Sequence, residues 1–483
     1  MKEFDELGLF WLPDHEEDAL SGRLKFDPKE GGITLSLVGR FDNAADDDED
    51  SNLRILGWRG NDRVTLDQCL SLGTNRRAPG APESKFHANQ MFVGHHFEEE
   101  ELSFQSASLR LSDLNSWVGR SGIAVEDDDP RPGSPAAATY QMTFTPPQEE
   151  AQRFSRGRVK LTFGWDWGGD PIHGIRFQQW PAITIEYDEI QPFEIIRKDV
   201  GRIQDLVTLC IDAPTAVDRL VLRRPDIHAR ALSGKDAGFQ QPIDFVAQPI
   251  LYSDPEKRQP RHWHQMLLSF EEFGGVETLA RWLDVSQSFQ RALDSFMSIK
   301  HARQMYGENR FLNVTFAAEA FHRITVGGQY MEEEAFKSLL DVCLANTPQR
   351  HHEWLLGRIS HGNEPPLRKR LQQLAARAGD ATRPLIGKPD RWARTLSQVR
   401  NELTHITTDS RVFLGADLLF LSESVYAVVR ICMLLECGVA PEALIEKANA
   451  PTMTWYRNRL KKSLEKARSQ LTTQKQDTSE PAQ

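Results

Sequence analysis

Residues 398–406 read QVRNELTHI and gather an arginine, an asparagine, a glutamate and a histidine into one short stretch. Arg400 and His405 are the members with the chemistry to act on a substrate. Histidine exchanges a proton near neutral pH, because its unperturbed pKa is about 6.5. Arginine presents a fixed fork of donors that matches the oxygens of a phosphate. Together they suit RNA cleavage without a metal. A base takes the proton from a ribose 2′-OH, the oxygen attacks the adjacent phosphorus, and a cation stabilises the developing negative charge. The expected products are a 2′,3′-cyclic phosphate and a 5′-OH. The competing reading of the same spacing is an exposed arginine followed by a histidine that only complements the helix dipole.

These residues need an element to position them, and the flanking pattern supplies one. Trp392, Leu396, Val399, Leu403 and Ile406 recur at intervals of 4, 3, 4 and 3. That spacing makes one apolar stripe, which must face a helical partner. Arg400 lies about 100° round from Val399, at the edge of the stripe, and Asn401 and His405 are i,i+4 neighbours. Arg400 and His405 are roughly 140° apart on a straight helix. They converge if the last turn unwinds at Thr404–Thr408, or if the site is shared between two copies.

A chain of 483 residues is too long for a single core, so several domains are expected. Its apolar and charged fractions, 40% and 26%, are those of a globular protein. The stretch MKEFDELGLFWLPDHEED carries no apolar signal core. The longest apolar run, Val412 to Leu435, is broken by Asp417, Glu423 and Arg430 and reads as a buried core helix, with no membrane partner implied. Cys69, Cys210, Cys343, Cys432 and Cys437 show no CxxC spacing, which predicts neither a disulfide framework nor a zinc site and fits a reducing cytoplasm. Charge divides unevenly. From residue 291 onward 27 basic residues oppose 21 acidic ones, net +6, whereas the first 290 residues carry 31 against 48, net −17. A basic C-terminal part can approach a polyanion that an acidic N-terminal part would repel.

The first half is strand-like. TLSLVGRF (34–41), KFHANQMFVGHHF (85–97), LSFQSASLRL (102–111), TYQMTFTP (139–146), RVKLTFGWDW (158–167) and AITIEYDEI (182–190) are short, alternating and bounded by turn residues, the signature of a sandwich or barrel. The acidic runs 42–52 and 126–135 read as solvated connections. PFEIIRKDVGRIQDLVTLCI (192–211) has helical spacing, and DRLVLRR (218–224) and IDFVAQPILY (243–252) return to strand patterns. From about Phe270 the pattern is helical, with helices expected over roughly 275–306, 310–326, 332–345, 365–378, 389–405, 414–437, 441–448 and 452–470. The resulting expectation is an α+β multidomain chain. It comprises a β-rich, sandwich-like region 1–190, an α+β intermediate region 191–270, an all-α bundle 271–471 and a polar, disordered tail 472–483.

Other residues also have types that could do chemistry. Arg457, Arg459, Lys461 and Lys462, in the basic stretch WYRNRLKKSLEKAR (455–468), either form a solvated face or hold RNA phosphates. Glu319, His322 and Arg323 read as a surface ion pair beside a half-buried histidine, with a supporting role near the cleft as the alternative. His87, His95 and His96 with Glu98–Glu101 lack a tight ligand pattern, as do HHEW (351–354) and HWH (262–264), so no metal site and no cofactor is expected. GWDWGGD (164–170) offers either core tryptophans or aromatic faces for a base or sugar.

Arg400-Asn401-x3-His405 resembles the R-x4–6-H motif of HEPN ribonucleases, including the asparagine after the arginine. FAAEAFHR (316–323) resembles an earlier helix of the same bundle, and NEPPLRKRLQQL (363–374) its middle segment. GLFWLPDHEEDALSGRLKF (8–26) and RILGWRGNDRVTL (54–66) resemble the N-terminal domain of ApeA-type antiphage HEPN proteins. The resemblance implies a helical HEPN domain that forms a homodimer or higher homo-oligomer, with two Arg–His pairs lining a shared cleft. It makes Arg400 and His405 the catalytic pair and Asn401 a supporting polar residue. It also implies a toxin-like defence endoribonuclease that arrests growth on infection, with structured cellular RNA, tRNA foremost, as target. The charge split, for its part, suggests that the acidic N-terminal part restrains the nuclease and that a phage component relieves it. The contrasting reading is a non-catalytic dimer that binds a ligand or RNA through its β-rich domain.

Overall fold

The computed structural model describes residues 3–477 except 30, 42–52, 76–79, 99–100, 129–138, 231–235, 249–260, 263–264, 303, 406–412 and 414, with the side chains of 127, 128, 139, 140 and 473–477 also left aside. The chain divides into two compact units, Met1–Leu283 and Asp284–Gln483.

The first unit is organised by a twelve-stranded antiparallel sheet, part of which closes on itself. Strands Phe4–Trp11, Leu20–Asp27, Gly32–Val38, Leu53–Arg59, Asp62–Asn75 and Glu83–Val93 form a ring, because Asp62–Asn75 pairs with both Leu53–Arg59 and Glu83–Val93. Alternation sends Phe10, Leu24, Phe26, Leu35, Ile55, Leu66 and Met91 into the barrel core. Gly57 must be small, since a Cβ there would stand 2.3 Å from the Phe10 ring and 2.6 Å from the Leu9 carbonyl. The sheet continues past Glu83–Val93 through Ile243–Ala247, Val217–Arg223, Ser103–Leu111, Gly174–Pro192, Gly157–Asp170 and Glu150–Phe154. The sandwich-like expectation is thus realised as a barrel with an extended wing. The expected boundary at 190/191 is not a structural one. Ile243–Ala247 and Val217–Arg223 are strands of the same sheet, and helix Phe193–Ile211 packs in the same unit. That helix carries the fully buried Asp199, which is satisfied by Arg156 Nη2 at 2.6 Å, the Tyr187 hydroxyl at 2.7 Å and the Arg202 guanidinium. A buried polar side chain is tolerated where hydrogen-bond donors of this kind meet it.

The second unit is helical. Its core is the apolar helix Gly415–Glu436, against which Gly307–Thr325, Leu367–Ala378 and Thr454–Asp477 pack. Gly415–Glu436 is long and apolar enough to cross a membrane, but 78% of its most apolar stretch is buried within the protein. It serves as the centre of a bundle. Its acidic interruption, Glu423, is met by Arg310 at 2.7 Å and Lys300 at 3.7 Å, so the charge is neutralised inside.

Two helical expectations need correction. The helix expected over 275–306 is broken into Gly275–Val285, a 3₁₀ turn Ser286–Phe289 and Gln290–His301, and the units divide just before the break, between Leu283 and Asp284. The segment 472–477, expected as disordered tail, continues the helix Thr454–Asp477, while 478–483 lie outside the described residues.

Candidate active site

Helix Pro389–Thr404 positions the motif. Proline at its first position is preorganised for a helix start. Trp392, Leu396 and Val399 of the expected stripe are fully buried, Leu403 is half-buried, and Ile406 lies outside the described residues. The Trp392 indole N–H donates to Ser424 Oγ at 3.0 Å, fixing the rotation of the motif helix against Gly415–Glu436. Rotation about the axis decides which residues face outward. Arg400 and Glu402 are half-buried, whereas Asn401 and His405 are exposed.

The helix ends at the motif. His405 is the cap residue, with φ −113° and ψ 63°, and its N–H still donates to the Asn401 carbonyl at 2.9 Å. The Thr404 hydroxyl donates to the carbonyls of Arg400 at 3.0 Å and Asn401 at 3.2 Å. The Thr404 hydroxyl thus adds a second donor to two carbonyls of the last helical turn, the Asn401 carbonyl already taking the His405 N–H. The helix runs through Thr404 and only His405 has left helical conformation, while 406–408 of the expected unwinding lie outside the described residues. Among the described residues, the Arg400 guanidinium has no ion-pair or hydrogen-bond partner, an arrangement that leaves its donors for a phosphate.

A second polar group joins the preceding helices. His322 is fully buried, its Nε2 lies 2.9 Å from Gln373 Oε1, and its Nδ1 lies 3.3 Å from Arg370 Nη1. Burial lowers the His322 pKa, opposed by the Gln373 hydrogen bond and reinforced by the Arg370 charge. Arg370 also donates to Glu364 at 2.6 Å and to the Pro365 carbonyl at 2.8 Å. Arg323 pairs with Glu364 at 2.7 Å, so the ion pair expected with Glu319 goes elsewhere and the histidine is more deeply buried than expected.

The four basic candidates separate. Arg457 is committed to structure: it donates to the carbonyls of Ala448 and Ala450, at 2.8 and 3.2 Å, and closes the end of helix Pro441–Asn449. Arg459 lies over the exposed Trp455 ring at 5.4 Å. Lys461 lines a cleft beside the motif helix, together with Arg457, and Arg459 and Lys462 do not.

Elsewhere the histidine candidates are dispersed. His96 Nε2 bonds the Gly57 carbonyl at 2.8 Å, His95 packs edge-on against Phe97, and His352 Nε2 bonds the Thr347 carbonyl at 2.7 Å; Glu99 and Glu100 lie outside the described residues. The grouping with converging ligand atoms among the described residues is His15, Glu17 and Asp18, in a short surface turn that sequence reading passed over. Trp165 and Trp167 are 50% and 63% exposed, so the GWDWGGD tryptophans are not core residues. Trp165 stacks on Phe177 across the hairpin formed by Gly157–Asp170 and Gly174–Pro192.

The family described as ApeA N-terminal domain 1 matches residues 5–282, and that described as Apea-like HEPN matches residues 312–443. The chain belongs to the ApeA family. The first match ends at the junction between the two compact units, and the second contains the motif helix with Arg400 and His405. An Apea-like HEPN domain supports a ribonuclease-type function in antiphage defence. No curated protein and no solved structure matches the chain.

Proposed function

We propose that this ApeA-type chain is a metal-independent endoribonuclease that cleaves cellular RNA, tRNA foremost, and arrests growth during phage infection. His405 takes the 2′-OH proton, the O2′–phosphorus bond forms as the phosphorus–O5′ bond breaks and the 5′ oxygen leaves with a proton as the 5′-OH; Arg400 stabilises the negative charge on the phosphoryl oxygens, and Asn401 orients the site. The supporting observation is the placement of these residues where the motif helix ends, with His405 exposed and the Arg400 donors unpaired among the described residues. The roughly 140° between the two side chains on one helix favours a site completed by a second copy, each cleft receiving two pairs.

Purified protein incubated with total RNA in excess EDTA tests this reading. Cleavage that survives chelation and disappears in His405→Ala is expected. Wild-type protein that binds RNA and leaves it intact under all conditions would support the non-catalytic alternative instead.

A further inference from the structure

Two adjoining hollows, of about 440 and 500 Å³, lie between the motif helix and helix Thr454–Asp477 and share Arg391 and Arg468 as walls. Lys388, Arg391, Lys461 and Arg468 line the first alongside the committed Arg457, and Glu465 is its one carboxylate. The second adds Arg394 and Asp390, but Asp390 is already occupied by Arg368 at 2.5 Å and by Arg394 at 3.4 Å. Lys388, Arg391 and Lys461 are exposed, and no carboxylate stands within ion-pair distance of them among the described residues. Arg468 is held in place by its Nε–H donating to Thr395 Oγ1 at 3.1 Å. Burial, and next the charge of Arg391, press its pKa below the ordinary arginine value. Cations gathered without matching acids repel one another, and a polyanion relieves that repulsion.

The direction of the motif helix gives the cleft its meaning. At 100° per residue, Arg391, Arg394, Gln398, Asn401 and His405 fall within about 80° of one another, whereas Arg400 lies roughly 180° from Arg391. Arg391 and His405 are separated by about 21 Å along the axis. At about 3.4 Å of rise per phosphate, the value along one strand of a duplex, that span corresponds to about six steps, and to fewer of an extended single strand. A polar track therefore leads along one face from the cleft to His405.

We propose that this cleft is a phosphate subsite that grips the RNA backbone several nucleotides from the scission point, an inference that rests on the ribonuclease reading above. Lys388, Arg391, Lys461 and Arg468 contact phosphate oxygens and read no base.

The test measures binding apart from cleavage, with every protein carrying His405→Ala so that RNA is not consumed. Affinity for a fluorescein-labelled oligouridylate is followed by anisotropy over a range of salt concentrations. Arg391→Gln with Lys461→Gln should weaken binding about tenfold and flatten the salt dependence, lowering the slope by about 1.4 for two lost single-strand phosphate contacts. A control, Arg291→Gln with Arg358→Gln, removes the same charge from exposed positions of the helical unit and should leave affinity and slope near those of the parent. Equal loss in the two double variants, or no loss at the cleft, would overturn the subsite. Displacement of the RNA by stoichiometric AMP would mark a mononucleotide site and would also overturn it. Failure of the ribonuclease reading shows separately, as intact RNA with His405 present, and leaves the binding comparison readable.

Discussion

Removing either Arg400 or His405 takes away one half of the proposed chemistry without touching the core, since the buried stripe is carried by Trp392, Leu396 and Val399. Arg400→Ala and His405→Ala should each lower RNA cleavage by about 10²–10⁴ with unchanged thermal unfolding. Near wild-type rates with the same products in either variant would remove that residue from the mechanism. Asn401→Ala should retain more activity, because an amide can orient a site and cannot act as a base. His322 sits inside the bundle and yields a different prediction. Burial and Arg370 hold its folded-state pKa below its ordinary 6.5, so on acidification the unfolded chain takes up a proton first. Its stabilising contribution is complete above about 6.5 and is lost as pH falls below that value. In His322→Gln, urea midpoints measured on either side of this window should differ less than in wild type; an unchanged difference would place the titration elsewhere. At this scale the chemistry open to Arg400 and His405 could be read from their types, while their spacing left the helix-dipole reading standing and the HEPN resemblance singled them out. The burial of His322 was not legible, because its partners Gln373 and Arg370 are 51 and 48 residues away.

Among elements, the motif helix was the most readable. A stripe at intervals of 4 and 3 predicted 389–405, and the helix spans Pro389–Thr404. Trp392 is the side chain that fixes it, so Trp392→Ala should cost about 3–5 kcal/mol in chemical denaturation and reduce cleavage by loosening the helix that carries the site. Full stability in that variant would contradict the packing described. The barrel was harder to see. Phe4–Trp11, Leu20–Asp27, Leu53–Arg59 and Asp62–Asn75 were not read as strands, although Gly60–Asn61 makes a two-residue hairpin turn between paired Arg59 and Asp62. Barrel closure depends on Asp62–Asn75 pairing on both sides, a long-range relation that alternation within one strand does not encode. Helix His352–Ile359 was likewise missed, and none of its residues is buried. The buried stripe that reveals amphipathic helices is absent there.

For the molecule as a whole, the charge contrast of −17 before residue 291 and +6 from there on tracks the division into a β-rich unit and a helical one. The change in pattern put the expected division at 270/271, whereas the units divide at 283/284, because helix Phe270–Phe273 and most of Gly275–Val285 belong with the β-rich unit. The false boundary at 190/191 arose because helix Phe193–Ile211 interrupts the strands in sequence and not in the sheet. We propose that the acidic part restrains the nuclease until a phage component relieves it. Replacing Asp46, Asp47, Asp48, Glu49 and Asp50, which lie outside the described residues, by neutral residues should raise basal cleavage. At physiological salt the Debye length is about 8 Å, so unchanged cleavage in a folded variant would mean that this run acts nowhere near the site. Dimerisation is the second proposal at this scale: a variant that remains monomeric by light scattering at assay concentration should be inactive with Arg400 and His405 intact, and a fully active monomer would exclude a shared cleft. The central claim, that this chain cleaves RNA through Arg400 and His405, is tested most directly by sequencing cellular RNA ends that bear 2′,3′-cyclic phosphates after expression of wild type and of His405→Ala. The account predicts discrete new ends with wild type that vanish with the variant. Identical end profiles in the two would contradict it.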